Sequence, residues 1–233
     1  MTTGPQVSRT HLPIPSAPRT GLVTYDAKGQ VIPGVAESWA FHNHQMSHRD
    51  YMRQLDGFTA DQWNPDAWAD LFVRSGARYA VLTTKHHDGF LMWHSDTPNP
   101  YKANWMADRD HMAELADAVR ALGMRFGLYY SGGIDWTFQP PPIRDIAGLL
   151  TAVPQMPEYG EYLLAHVREL IARFSPSALW NDIGWPAHLD PADTIGEYYA
   201  AVPDGVVNDR FNFIAVAQGQ LHADFTTPEY STT

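Results

Sequence analysis

Apolar runs alternate along the chain with segments whose apolar residues recur at helical spacing. The short apolar runs predict strands near residues 79–84, 125–130, 177–181 and 205–208. The segments between them predict helices near residues 66–75, 110–122, 159–174 and 191–201. Strands that alternate with helices favour an α/β fold with one parallel sheet and right-handed crossovers.

Each of the first three predicted helices has an apolar stripe that we expect to be buried. The stripes consist of Trp68, Leu71 and Phe72, then Met112, Leu115, Val119 and Leu122, then Leu163, Val167, Leu170, Ile171 and Phe174. Helix-ending signals support the assignment. Asn64 and Pro65 are a capping residue followed by a first-turn proline, and Gly76 and Gly123 stop their helices.

The first strand is followed directly by polar residues. We interpret residues 79–84 as a fully buried strand that ends in Lys85, His86, His87 and Asp88. Side chains alternate along a strand, so the two histidines can share a direction only after a bend, which Gly89 can supply. The alternative is a strand that continues into a polar loop, but a whole polar cluster at a strand end is typical of a functional site in an α/β protein.

Polar residues also follow the other predicted strands, which favours a (β/α) barrel with its site at the carboxyl ends of the strands. No Gly-rich dinucleotide motif and no phosphate-binding loop is found, which argues against nucleotide-binding folds.

We expect residues 1–34, which are rich in proline and glycine, to form an extended arm, and residues 35–233 to form a partial (β/α) barrel domain. The first residues have no apolar core, so no signal peptide is predicted.

Composition excludes several classes. The net charge is −10 without a basic run, which argues against nucleic acid or an anionic membrane as partner. The chain has no cysteine, so a thiolate metal site and a cysteine nucleophile are excluded. Aromatic residues make up 12% of the chain, and aromatic rings that do not pack the core can stack on sugar faces.

His42 and His44 are spaced as a possible metal-binding pair. No clear apolar strand precedes them, which favours a polar loop. One alternative therefore stays open: a metal-dependent amidohydrolase that would use these two histidines and His86 with an aspartate.

Four motifs resemble those of the retaining α-L-fucosidases, in the same order and over roughly residues 35–230. They are Lys85-His-His-Asp-Gly-Phe90, Gly127-Leu-Tyr-Tyr-Ser131, Leu179-Trp-Asn-Asp-Ile-Gly-Trp185 and Val207-Asn-Asp-Arg210, and the segment Thr227-Pro-Glu-Tyr230 is similar as well. The resemblance implies a (β/α)8 catalytic barrel that removes terminal α-linked L-fucose from fucosylated oligosaccharides or glycoconjugates with retention. It implies no cofactor and no catalytic metal.

The resemblance also implies roles for individual residues. Asp182 matches the nucleophile and Glu229 the acid/base of some members. The matches to fucose-binding residues are His86, His87, Tyr129, Arg210 and, more loosely because Ser38 intervenes, Glu37 and Trp39. Asp182 could instead be a helix or loop cap, and Glu229 a solvated residue near the end of the sequence.

Two departures from the family pattern bear on the fold. Residues 1–34 do not match the first strand motif of the family, Phe-Gly-x-Phe-x-His-Trp-Gly, and the sequence ends shortly after Glu229. We therefore expect an incomplete barrel with exposed sheet edges, since closure is what removes edges. A non-catalytic fragment of a fucosidase is the second open alternative.

Overall fold

The computed structural model describes residues 47–139, 143, 148 and 151–228. The chain divides into two compact units, residues 1–59 and 60–233. The described part of the first unit contains helix α1 (His48–Met52), which Ser47 caps, and a 3₁₀ turn (Arg53–Gly57). The predicted arm over residues 1–34, with its boundary at residue 35, lies outside the described residues and stays a prediction.

The second unit alternates helices and strands. Its elements are α2 (Pro65–Arg74), β1 (Tyr79–Lys85), α3 (His111–Ala121), β2 (Arg125–Tyr130), α4 (Pro157–Phe174), β3 (Ala178–Asn181), α5 (Pro191–Ala201), β4 (Val206–Val207), a 3₁₀ turn (Asp209–Phe211) and α6 (Phe213–Ala217). The strands pair in parallel in the order β1-β2-β3-β4. The predicted strands and helices are therefore confirmed to within two residues, whereas α1, α6 and the 3₁₀ turns were not predicted.

Local sequence signals explain where several helices begin and end. The N–H of Ala67 donates to Oδ1 of Asn64 over 3.0 Å, so Asn64 satisfies a donor that the first turn of α2 leaves open. The backbone of Gly76 has a φ of +86°, a left-handed conformation that glycine adopts without steric cost. The chain can therefore reverse from α2 into β1 within a few residues.

The core lies between β2 and helices α3 and α4. Phe126 and Leu128 of β2 are buried, and the whole predicted stripe of α4 is buried with them. Each fully buried side chain of this size contributes roughly 1.5–3 kcal/mol. This apolar layer holds β2, one of the two inner strands of the described sheet, and so helps to fix the residues that follow the strands.

Three burial predictions are wrong. In α2, Trp68 and Leu71 are 49% and 53% exposed. Leu122, which follows α3, is 49% exposed, and Tyr79 at the start of β1 is 63% exposed, although residues 79–84 were interpreted as fully buried. For β1 the physical reason is position, because among the described strands it pairs only with β2. For the helices, apolar spacing identifies a stripe but not the surface that covers it.

Among the described residues, no helix combines the length and the apolar character that a bilayer span requires.

A buried histidine links α4 to β2. Nε2 of His166 donates to the carbonyl oxygen of Thr97 over 3.1 Å, and Nδ1 accepts from the hydroxyl of Tyr130 over 3.1 Å. The ring also packs against Trp93 and Tyr162. The pKa of His166 is lowered to about 4, mainly by burial; the charge of Lys85 acts in the same direction, whereas the hydrogen bond to Thr97 and the charge of Asp135 oppose it.

We expect His166 to make stability pH-dependent. Because its folded pKa lies below the ordinary histidine value of about 6.5, the unfolded chain takes up this proton first, and stability is lost as the pH falls from 6.5 towards 4. The loss is on the order of 3 kcal/mol. Urea unfolding between pH 7.5 and 4.5 should show a shallower pH slope for His166→Phe, whereas Tyr130→Phe, which keeps the imidazole, should retain it. Parallel curves for wild type and His166→Phe would contradict this assignment.

Candidate active site

Asp182 lies at the carboxyl end of the sheet, directly after β3, and is only 8% exposed. The hydroxyl of Tyr129, from β2, donates to Oδ2 of Asp182 over 2.7 Å. Nη1 of Arg210, which follows β4, donates to Oδ1 over 2.9 Å. Both carboxylate oxygens are therefore oriented by side chains from the two neighbouring strands.

His86 and His87 lie at the same edge, after β1. The strand ends at Lys85 with a register irregularity, and the chain then turns through Gly89, whose φ is +73°. The two imidazole rings have centroids 3.9 Å apart, and the ring of His86 stacks on Tyr129 with a centroid distance of 5.7 Å. The bend needed to bring both histidines to one side is therefore present.

The predicted convergence at the carboxyl ends of the strands is observed for five side chains of the described residues: His86, His87, Tyr129, Asp182 and Arg210. The other predicted site residues, which are Glu37, Trp39 and Glu229, lie outside the described residues, as do His42 and His44. Within the described ranges, no cluster of three or more histidine, aspartate or glutamate side chains could hold a metal ion.

Thr227 orients Arg210 and was not predicted. Nε of Arg210 donates to the Thr227 hydroxyl over 2.7 Å, and Nη2 donates to the Thr227 carbonyl over 2.6 Å. The Thr227 hydroxyl in turn donates to Oδ1 of Asp209 over 2.9 Å. The guanidinium is thus held on two edges, and its third nitrogen points at Asp182. In the sequence, Thr227 precedes Glu229 by two residues.

A pair of asparagines joins the ends of β3 and β4. The N–H of Asn181 donates to Oδ1 of Asn208 over 3.0 Å, and Nδ2 of Asn208 donates back to the Asn181 carbonyl over 2.9 Å. Nδ2 of Asn181 also donates to the Arg210 carbonyl over 3.0 Å. The Asn208 side chain therefore continues the strand ladder and holds Asp182 beside Arg210. The repeated Asn-Asp pair at both strand ends was the available sequence signal.

A buried ion pair ties the last residue of β1 to the loop after β2. Nζ of Lys85 lies 3.0 Å from Oδ2 of Asp135, and neither side chain has exposed surface. Burial lowers the pKa of Lys85, while the charge and hydrogen bond of Asp135 oppose that change. The N–H of Trp136 donates to the His87 carbonyl over 2.7 Å. The backbone of His87 is thus fixed by the neighbouring loop.

Taken together, these contacts present one oriented carboxylate beside a guanidinium, a phenol and two imidazoles. Such groups supply both hydrogen-bond donors and acceptors in fixed directions, which neutral hydroxylated ligands require. Asp182 can act as a nucleophile or a base toward a bound ligand.

Known proteins match over most of the chain. The family model described as "Alpha-L-fucosidase" matches residues 19–233. Tissue alpha-L-fucosidase of Bos taurus is 36% identical over 170 residues, which are 66% of this chain and 33% of that protein. The chain thus spans about a third of the length of the curated relatives.

Solved structures agree with this match. Thermotoga maritima alpha-fucosidase in complex with a mechanism-based inhibitor is 40% identical with a TM-score of 0.69, over 82% of this chain and 44% of that one. The same enzyme in complex with fucose gives 39% identity and a TM-score of 0.69 over the same shares. These relatives have a (β/α)8 catalytic domain, so the predicted fold class is confirmed, and the four parallel strands are part of such a barrel. This chain therefore belongs to the alpha-L-fucosidase family.

Proposed function

We propose that the protein is a retaining glycoside hydrolase that removes terminal α-linked L-fucose from fucosylated oligosaccharides or glycoconjugates, with Asp182 as nucleophile. The observation that carries the proposal is the fixed Asp182 carboxylate, held by Tyr129 over 2.7 Å and by Arg210 over 2.9 Å at the carboxyl edge of the sheet. A nucleophile on a strand end is rigid, which favours attack from a single direction. Family membership supports the same chemistry.

The remaining roles follow from the chemistry of the side chains. His86, His87, Tyr129 and Arg210 bind the sugar hydroxyls, because they offer directed donors and acceptors around Asp182. The resemblance of their sequence motifs to those of the family supports Glu37 and Trp39 as further fucose-binding residues and Glu229 as the acid/base. The position of Glu229 in the sequence supports its role, since Thr227, two residues earlier, contacts Arg210.

The reaction is a double displacement. An oxygen of Asp182 forms a bond to the anomeric carbon while the glycosidic bond breaks, and Glu229 gives its proton to the leaving oxygen. This step leaves a fucosyl ester on Asp182. A water molecule then attacks the same carbon, Glu229 takes the water proton, and the ester bond breaks to release L-fucose with its original configuration.

The test is hydrolysis of 4-nitrophenyl α-L-fucoside, with proton NMR of the product formed first. We expect release of nitrophenol and α-L-fucose as the initial anomer. Initial release of the β anomer would contradict the retaining mechanism. If L-fucose raised the melting temperature of the protein but no fucoside was hydrolysed, the protein would bind the sugar without being a hydrolase, which would contradict the proposal. Stoichiometric zinc in the purified protein, together with metal-dependent turnover, would favour the amidohydrolase alternative instead.

Glu229→Ala should separate the two steps. An aryl fucoside with a good leaving group needs little protonation, so its first step should survive while release of the sugar slows for want of a base. We therefore expect a burst of nitrophenol followed by slow turnover, and a much larger loss of rate for alkyl fucosides. Equal losses for both substrate classes would show that Glu229 is not the acid/base. Glu158→Ala, at the exposed first turn of α4, is the control and should leave both rates unchanged.

A further inference from the structure

His87 forms a buried pair with Ser131, the first residue after β2. Nδ1 of His87 lies 2.7 Å from Oγ of Ser131, and their exposed fractions are 1% and 0%. The same Oγ lies 2.9 Å from the carbonyl oxygen of Ile134. Oγ of Ser131 therefore has two polar neighbours at hydrogen-bond distance, and only one hydroxyl proton with which to bind them.

The positions of these atoms decide whether Nδ1 of His87 carries a proton. A carbonyl oxygen can only accept, so the Ser131 proton must point at Ile134 for that contact to be a hydrogen bond. If the proton pointed at His87 instead, two oxygen acceptors would face each other at 2.9 Å with no proton between them. The Ser131 oxygen therefore accepts from His87, and Nδ1 of the imidazole carries a proton.

Buried contacts keep Ser131 and Ile134 in this arrangement. The N–H of Ser131 donates to the Lys85 carbonyl over 3.0 Å. Nζ of Lys85 approaches the Ile134 carbonyl at 3.4 Å and pairs with Asp135. The Ser131 hydroxyl thus lies where the Lys85–Asp135 ion pair holds the end of β1 against the loop after β2.

We propose that Ser131 is a positioning residue that fixes neutral His87 as the Nδ1–H tautomer, so that Nε2 accepts a hydrogen bond from a hydroxyl of L-fucose. Only the identity of this ligand rests on the proposed function. The consequence is specific: the sugar position that His87 contacts must donate a proton. Fluorine cannot donate a hydrogen bond, so replacing that hydroxyl by fluorine should weaken binding as much as replacing it by hydrogen.

The tautomer can be measured directly by ¹⁵N–¹H correlation NMR of the imidazole at pH 7.5, with the His87 signals assigned by their loss in His87→Gln. We expect a protonated Nδ1 and an unprotonated Nε2 in the wild-type protein. Ser131→Ala should shift the tautomer balance. Ser177→Ala, which removes a serine hydroxyl that likewise donates to a backbone carbonyl, should not. A protonated Nε2 in the wild type would overturn the proposal without reference to any variant.

Binding of L-fucose and of its monodeoxy and monodeoxyfluoro analogues tests the role in recognition. At one ring position, replacing the hydroxyl by hydrogen and replacing it by fluorine should each weaken binding to the wild-type protein by roughly tenfold. This loss of affinity should be smaller in Ser131→Ala but unchanged in Ser177→Ala. Fluorine tolerated at every position would overturn the acceptor role. If L-fucose did not bind although the Nδ1–H tautomer was observed, the proposed function would be contradicted and the fucose contact refuted. The positioning of His87 by Ser131 would stand.

Discussion

Asp182→Gly should lower the turnover of an α-L-fucoside by roughly 10⁴-fold or more, because it removes the group that attacks the anomeric carbon. The variant also leaves space where the carboxylate stood between Tyr129 and Arg210. A small anion such as azide can enter that space and attack the same face of the sugar. Since the second displacement is then missing, the product should be a β-fucosyl azide of inverted configuration.

The matched control is Asp204→Gly, which makes the same substitution at an exposed turn and should keep full activity. Circular dichroism of both variants separates a lost nucleophile from a lost fold. Turnover by Asp182→Gly at the wild-type rate would rule out Asp182 as the nucleophile. A β-fucosyl azide formed by Asp182→Gly, and not by Asp204→Gly, would identify the face from which Asp182 attacks.

Lys85→Met should destabilise the protein by about 3–5 kcal/mol, because it leaves the Asp135 carboxylate buried without its cation. The two side chains lie 3.0 Å apart with no exposed surface, and Lys85 also lies 4.7 Å from the centre of the Tyr130 ring. A loss of this size is a large share of the stability of an ordinary domain. The measurement is the urea unfolding free energy at pH 7.

A double-mutant cycle isolates the ion pair. Asp135→Asn keeps an oxygen for the Thr137 donors but removes the charge. The double variant with Lys85→Met should therefore lose clearly less than the sum of the single variants. Arg168→Met, which breaks an exposed ion pair with Glu197, should cost under about 1 kcal/mol. Additive single losses, or equal losses for Lys85→Met and Arg168→Met, would contradict a central role of the buried pair.

The sequence predicted those features that depend on chain order. Parallel strands place their carboxyl ends at one edge, so Asp182, Tyr129 and Arg210 could be assigned to a common site before any distance was known. Helix boundaries followed from capping groups such as Asn64, which act over three residues. Both kinds of inference need only local pattern and topology.

Other features depend on contacts that a single sequence does not reveal. Thr227 follows Arg210 by 17 positions, and nothing in its local sequence indicates that it holds the guanidinium. Ser131 belongs to a recognised motif, yet its role follows from two distances. The exposure of Trp68 was mispredicted because apolar spacing identifies a stripe and not the surface that covers it. Helix α6, with five residues, is too short for a periodic pattern.

The most direct test of the central claim is to trap the intermediate. A 2-deoxy-2-fluoro-L-fucosyl fluoride slows both displacements but leaves the fluoride as a good leaving group, so the fucosyl ester should accumulate. Mass spectrometry of the peptic digest should then show one fluorofucosyl group on the peptide that contains Asp182, and none on that peptide in Asp182→Gly. A label on any other carboxylate, or turnover without a labelled enzyme, would contradict the assignment of Asp182 as the nucleophile.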